Sequence, residues 1–167
     1  TALGYNSLPA LTTGTRNTAT GMNSLYLSTT ASDNSAFGYA ALQQNTTGSN
    51  STAIGKDALL NNTTGANNTG VGKEALKANT TGTSNTVVGY HAGHDTTTGS
   101  NNVYLGLHAG QYNTTGSYNI AVGPLAGGWT TGGNVSGNHN IHMGYATNGS
   151  SNSVSKEMVI TVGDNGS

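Results

Sequence analysis

The chain has 167 residues, of which 33% are hydrophobic and 7% charged, with a formal net charge of -1 and no cysteine. That composition excludes disulfides, thiolate metal sites and cysteine nucleophiles, and a near-neutral chain with five Lys and Arg does not suit a phosphate backbone. No apolar run approaches the roughly 18 residues of a membrane span, so neither nucleic acid nor membrane insertion by this segment is expected.

Low apolar content can mean disorder, but disordered chains usually carry high net charge and no regular apolar spacing. Here one phrase is restated from the first residue. Its glycine falls at Gly4, Gly21, Gly38, Gly55, Gly72, Gly89, Gly106 and Gly123 in steps of 17, then at Gly144 and Gly163 after steps of 21 and 19. The sequence opens in mid-phrase, with neither an initiator Met nor a signal-peptide pattern, so a piece of a longer chain is expected.

In each unit the residues before that glycine, as in "TAI" before Gly55 or "TVV" before Gly89, predict a short strand. The residue immediately before it is Leu3, Thr20, Phe37, Ile54, Val71, Val88, Leu105, Val122 and Met143. This column reads as the core ladder, so Ile54→Asp should break the fold while Asn50→Ala should matter little. Two before the glycine the column is small (Ala2, Ala19, Ala36, Ala53, Gly70, Ala121), interrupted by Val87, Tyr104 and His142. A neighbouring chain is expected to approach there.

After the glycine come Ser or Ala and then Leu8, Leu25, Leu42, Leu59 and Leu76, succeeded by Gly93, Gly110 and Gly127. A second apolar column thus thins towards the C-terminus. Further on, Thr-Thr precedes a second glycine (Gly14, Gly48, Gly65, Gly82, Gly99, Gly116, Gly133), read as a corner needing positive φ. Stretches such as "KDALLNN" are too short for a stable helix.

A 17-residue unit with one strand cannot bury an apolar face alone, but units stacked at about 4.8 Å pair backbone to backbone. The expected fold is all-β, a parallel β-solenoid of about ten coils and roughly 45 to 50 Å in length. Residues 1–147 form the repeat domain, with a lengthened coil at about 128–140, and residues 148–167 a closing coil or a transition to a neck or fibre-end domain. One narrow coil encloses few side chains, so oligomerisation is expected to complete the burial.

Phrases such as "NSTAIGKDAL" and "NTGVGKEAL" resemble the YadA-like head repeats of trimeric autotransporter adhesins and the related repeats of phage and viral tail fibres. The closing "SKEMVITVGDNGS" is similar to the phrase that often ends such repeats. The resemblance spans residues 1 to about 147 and implies a left-handed parallel β-roll in a homotrimer. It also implies an extracellular, cell-surface or virion-surface attachment role, with a host-surface receptor or glycan as partner.

No catalytic pattern emerges. Asp57 and Glu74 share a column, each behind a lysine (Lys56, Lys73), and read as alternating solvated charge. The chain is therefore not expected to be an enzyme or to need a cofactor. His91 and His108 share another position 17 apart, His94 and Asp95 follow His91, and "NHNIH" supplies His139 and His142. The balance of this pattern is against a bound metal; if there were one, its ligands would come from His91, His108 and His142, the last repeated three times around a trimer axis. Tyr112, Tyr118, Trp129, His94 and His139 are the candidates for a receptor or glycan surface. The alternatives to a fibre segment are ice binding through threonine ladders and a glycan-degrading viral spike. The Asn-x-Ser/Thr sequons at Asn45, Asn50, Asn62, Asn79 and Asn113 are generated by the repeat itself and assign no compartment.

Overall fold

The computed structural model of the chain describes residues 1–127, 136–147 and 155–160. One sheet contains ten strands, β1 (Ala2–Leu3), β2 (Thr18–Thr20), β3 (Ser35–Phe37), β4 (Thr52–Ile54), β5 (Thr69–Val71), β6 (Thr86–Val88), β7 (Val103–Leu105), β8 (Ile120–Val122), β9 (Ile141–Met143) and β10 (Met158–Ile160). Each pairs in parallel with the next, in chain order. Ile54 therefore lies beside Val71, and Val71 beside Val88. The architecture is the expected β-solenoid, one strand per coil, and the described residues include no helix long and apolar enough to cross a membrane.

What closes each coil is a second kind of backbone order. In the coil opened by Gly55, the amides of Gly55 and Asp57 donate back to Phe37 and Tyr39 at 2.8 and 2.9 Å. Those of Leu59, Asn61 and Thr63 donate forward to Ala75, Lys77 and Thr80 at 2.9, 3.1 and 2.9 Å. The turns thus bond from coil to coil much as the strands do. Turning so tightly places Asp57, Leu59 and Asn67 at φ of 56, 52 and 60°, and the equivalent residues repeat this in the other coils. Left-handed backbone costs a side-chain-bearing residue about 1 kcal/mol or more, which the inter-coil bonds must offset.

Which face points inwards reverses the sequence reading. The large column is outside: Ile54 is 42% exposed, and Phe37, Val88, Leu105 and Met143 are similarly open. The small column is the interior, with Ala19, Ala36 and Ala53 at 0%. A coil this narrow admits one large side chain, and the leucine four after the glycine takes that place; only Ala or Gly then fits opposite on the strand. Consequently Ile54→Asp puts its charge on the surface, and no neighbouring chain can reach the alanines.

Nor does the core thin towards the C-terminus. Where leucine gives way to glycine, the strand residue grows, to Val87 and then Tyr104. A Cβ on Gly110 would lie 2.6 Å from the Tyr104 ring, which fills the space that leucine occupies in earlier coils. The second-glycine column also differs from the expected positive-φ corner. Gly48 and its equivalents are absent from the positive-φ positions; a Cβ on Gly48 would instead lie 2.4 Å from the Gly65 carbonyl oxygen. Close contact between coils excludes the side chain, although Ala31 is accommodated, fully buried, in the same column.

Polar ladders complete the interior. Asn68 Oδ1 accepts from the Asn85 amide at 3.0 Å, and Asn85 Oδ1 from the Asn102 amide at 3.0 Å. Their Nδ2 atoms donate to the carbonyls of Gly82 and Gly99. A second rank runs through Asn45, Asn62 and Asn79, where Asn62 Nδ2 donates to Asn45 Oδ1 at 2.9 Å and Asn79 Nδ2 to Asn62 Oδ1 at 2.7 Å. Across the 21-residue step, β8 and β9 still pair and Asn119 Oδ1 still accepts from the Asn140 amide at 3.0 Å.

The exchange of volume between strand and turn predicts compensation. Tyr104→Ala alone should cost about 3–5 kcal/mol through the cavity it leaves, and Gly110→Leu alone should be destabilised by its clash with the ring. Combined, they recreate the Ala53 and Leu59 arrangement, and denaturant melts should show the double variant more stable than either single one.

Candidate functional site

Two surface features and one interior group carry the chemistry. The first surface is the outward side of the sheet. The three-residue strands β2 to β10 present their first and third residues there, as β1 presents Leu3; none is charged, and the first is Ser or Thr in β2 to β6 and apolar in β7 to β10. Tyr5, Met22, Tyr39, Tyr90, Leu107 and Tyr145, each one residue past its glycine, are exposed and widen the strip. Lys56 and Lys73 stand in that same column, so the uncharged strip is confined to the strands there; an uncharged strip with an apolar rank along a rod is the kind of surface that marks an interaction site.

The second is a polar cluster two and five residues past the glycines of neighbouring coils. Glu74 and His91 occupy the same place in successive coils, both left-handed, at φ of 58 and 52°. His91 Nε2 and His94 Nε2 lie 3.2 and 3.3 Å from Glu74 Oε2. Lys77 Nζ is 3.2 Å from the same oxygen, and Lys73 Nζ is 3.4 Å from Oε1. His94 Nδ1 is 2.6 Å from Asp95 Oδ1. The His91 ring stacks on Tyr90 with centroids 4.1 Å apart, and His108 meets it edge-on at 5.3 Å while bonding Gln111 Oε1 through Nδ1 at 2.6 Å.

Electrostatics follow from this crowding. Burial alone would push the Glu74 carboxyl up, but the hydrogen bond and charge of Lys77, the charge of His91 and the bond from Lys73 together hold it at about 2. Burial pushes His91 down, and the like charges of His94, His108 and Lys73 add to this against the pull of Glu74. The Glu74 side chain is only 13% exposed, so this carboxylate is not the freely solvated charge the sequence suggested.

The interior group is His142, in the middle of β9 and facing into the coil, where earlier coils carry alanine. Its Nδ1 is buried without a hydrogen-bond partner, beside a cavity of about 30 Å³ that Tyr104, Asn113, Asn119 and Gly127 also line. Both Ala121 and Gly127 are small in this coil, so neither fills the core position. Burial pushes the His142 imidazole down, against the opposing charge of Glu157. His142 therefore cannot meet its copies at a trimer axis.

The five residues expected to form a receptor surface do not converge. Tyr118 and His139 stack with centroids 4.9 Å apart at one corner. His94 belongs to the Glu74 cluster, and Tyr112 lies one coil beyond Asp95, in the same column. Trp129 falls outside the described residues. Of the histidines weighed as ligands, His91 pairs with Glu74 and His94 rather than with His142. Glu74 was missed although the signal was present, since 74 and 91 differ by one repeat.

Comparison with protein-family models, with curated proteins and with solved structures finds no match to this chain.

His142 gives a pH test. Its folded pKa lies below the unfolded value of about 6.5, so the unfolded chain binds the proton more readily. This contribution to stability is complete above that pH and is lost on acidification towards the folded pKa. Melting temperature should fall as the pH drops below about 6.5, and His142→Val, which copies Val87, should flatten part of the slope.

Proposed function

We propose that this chain is a non-enzymatic, self-associating segment of a trimeric surface fibre or adhesin, placed outside the cell or on a virion. The observation that carries the reading is the outer strand face, uncharged through all ten strands, with one apolar rank (Leu3, Phe37, Ile54, Val71, Val88, Leu105, Val122, Met143, Ile160) broken at Thr20. Its occupant is a second and third copy of the same chain. Parallel copies share one rise per coil, so a contact made well at one level is repeated at every level, and a cyclic arrangement leaves no face open for further growth. The number three rests on the resemblance of the repeat phrases to YadA-like heads.

The function of such a segment is reach and rigidity, holding a binding region away from a surface. The Tyr118 and His139 stack supplies a flat, partly polar platform of the kind that sugars use, and is the best surface on this chain for a glycan contact.

Ice binding has less support. In each Thr-Thr pair the first hydroxyl is used within the rod, as when Thr46 Oγ1 donates to the Thr63 carbonyl at 3.0 Å. The second, as in Thr47, Thr64 and Thr81, is left exposed, giving one rank of hydroxyls at the turns; the other outward rank, Thr18, Ser35, Thr52, Thr69 and Thr86, lies on the strands and gives way to Val103 and Ile120. A thermal-hysteresis measurement should read zero, and incubation with host polysaccharide should release no fragments.

Solution mass tests the main reading. Sedimentation should give about three times 16.7 kDa. Ile54→Asp and Val88→Asp should yield smaller species with an unchanged β circular-dichroism spectrum, whereas Ala53→Asp should abolish that spectrum. A folded wild-type monomer would sink the proposal.

A further inference from the structure

We propose that Glu74 Oε2, His91 Nε2 and His94 Nε2 form a Zn²⁺ site that clips two successive coils together. The three atoms lie within 4.8 Å of one another. Two of the separations, 3.2 and 3.3 Å, match the distance of about 3.3 Å between ligand atoms of a tetrahedral zinc with bonds of about 2.0–2.1 Å. A modest closure of the third edge completes the ligand triangle, leaving the outer coordination position to water.

The donors call for such an ion. His91 Nε2 is buried and has no hydrogen-bond partner. In the neutral tautomer whose Nδ1–H donates to Asp95, the lone pair of His94 Nε2 also faces the Glu74 carboxylate. Facing lone pairs are relieved by a proton or by a metal ion between them, and Lys77 bonds the carboxylate alone. Asp95 fixes the His94 tautomer, the outer-shell role that carboxylates commonly play for metal-bound histidine, and Tyr90 holds the His91 ring by stacking. Two nitrogens and one oxygen suit zinc; calcium would require six or more oxygens.

Lys77 and Lys73 oppose the ion by charge, and Lys77 occupies the oxygen zinc would use. The Lys77 side chain is 31% exposed and has room to turn towards solvent. It is therefore a competitor, which makes the proposal sharper to test.

The experiment is calorimetric titration of the purified chain with Zn²⁺, alongside the visible spectrum with Co²⁺ as a tetrahedral probe. Variants are taken from the chain's own columns, so that they keep the backbone: His91→Asn, because Asn6 and Asn23 hold that position elsewhere, and His94→Gln, because Gln43 and Gln111 do. Wild type should bind one ion per chain and melt at higher temperature with it. Each variant should weaken binding by roughly tenfold or more. Lys77→Gln should tighten it several-fold, and His139→Asn should leave it unchanged. Failure of the wild type to take up Zn²⁺, or wild-type affinity in His91→Asn and His94→Gln, would overturn the proposal.

Discussion

Every coil must offer its neighbours amides and carbonyls at matching heights, in its turns as well as in its strand. The forward and backward donations around the Gly55 coil depend on that match, and so do the left-handed residues that alternate the amides. Loss of one residue inside the bonded part of a coil would shift that coil's donors past their acceptors, whereas the 21-residue step between β8 and β9 leaves the strand pairing intact. The seventeen-residue period is thus a hydrogen-bonding condition. It also explains how a chain with so little apolar content is ordered, because buried asparagine can donate and accept along the axis where a larger hydrophobic core has no room.

Inside that frame, volume is conserved more strictly than residue identity. Leu59 opposite Ala53, and Tyr104 opposite Gly110, are two ways of filling one narrow tube. The arrangement changes hands between Leu76 and Tyr104, with Val87 and Gly93 as the intermediate step. Where both partners are small, at Ala121 and Gly127, a cavity opens and a histidine nitrogen is left unsatisfied beside it. The C-terminal coils therefore depart from the pattern in packing before they depart from it in length.

The period, the strands and the asparagine ranks were legible because each is a relation between residues seventeen apart. The choice of interior was not. Alternation along a strand identifies two faces, and a column of Ile, Val, Phe and Leu normally marks the buried one. Here tube width decides: Ala53 is inside because Leu59 already occupies the space, a relation between two columns that neither displays alone. The same repeat arithmetic that located the asparagines also places Glu74 beside His91. Histidine spacing alone does not reveal it, since the neighbour of His91 is a carboxylate from the coil before. The grouping of Tyr118 with His139 crosses the longer step, so no fixed interval announced it.

One asymmetry links the packing to the surface chemistry. Arg16 and Asp33 pair at a corner, with Arg16 Nε 2.5 Å from Asp33 Oδ1, and the cluster of Lys73, Glu74 and Lys77 lies on the turns. No charge occupies the outward positions of the strands. An ion pair or a metal ligand set needs side chains from neighbouring coils to meet at defined distances, which the left-handed turns provide by aiming Glu74 and His91 side by side. Association needs the reverse, a strip with no charge to desolvate, and the outward strand positions carry none. Separate parts of one coil meet these two demands, and repetition extends the strip along the rod while the charged corners change composition from coil to coil. Local changes at a turn, such as glutamate to histidine within one column, can therefore create a site without disturbing either the hydrogen-bonded ladder or the face on which copies would meet.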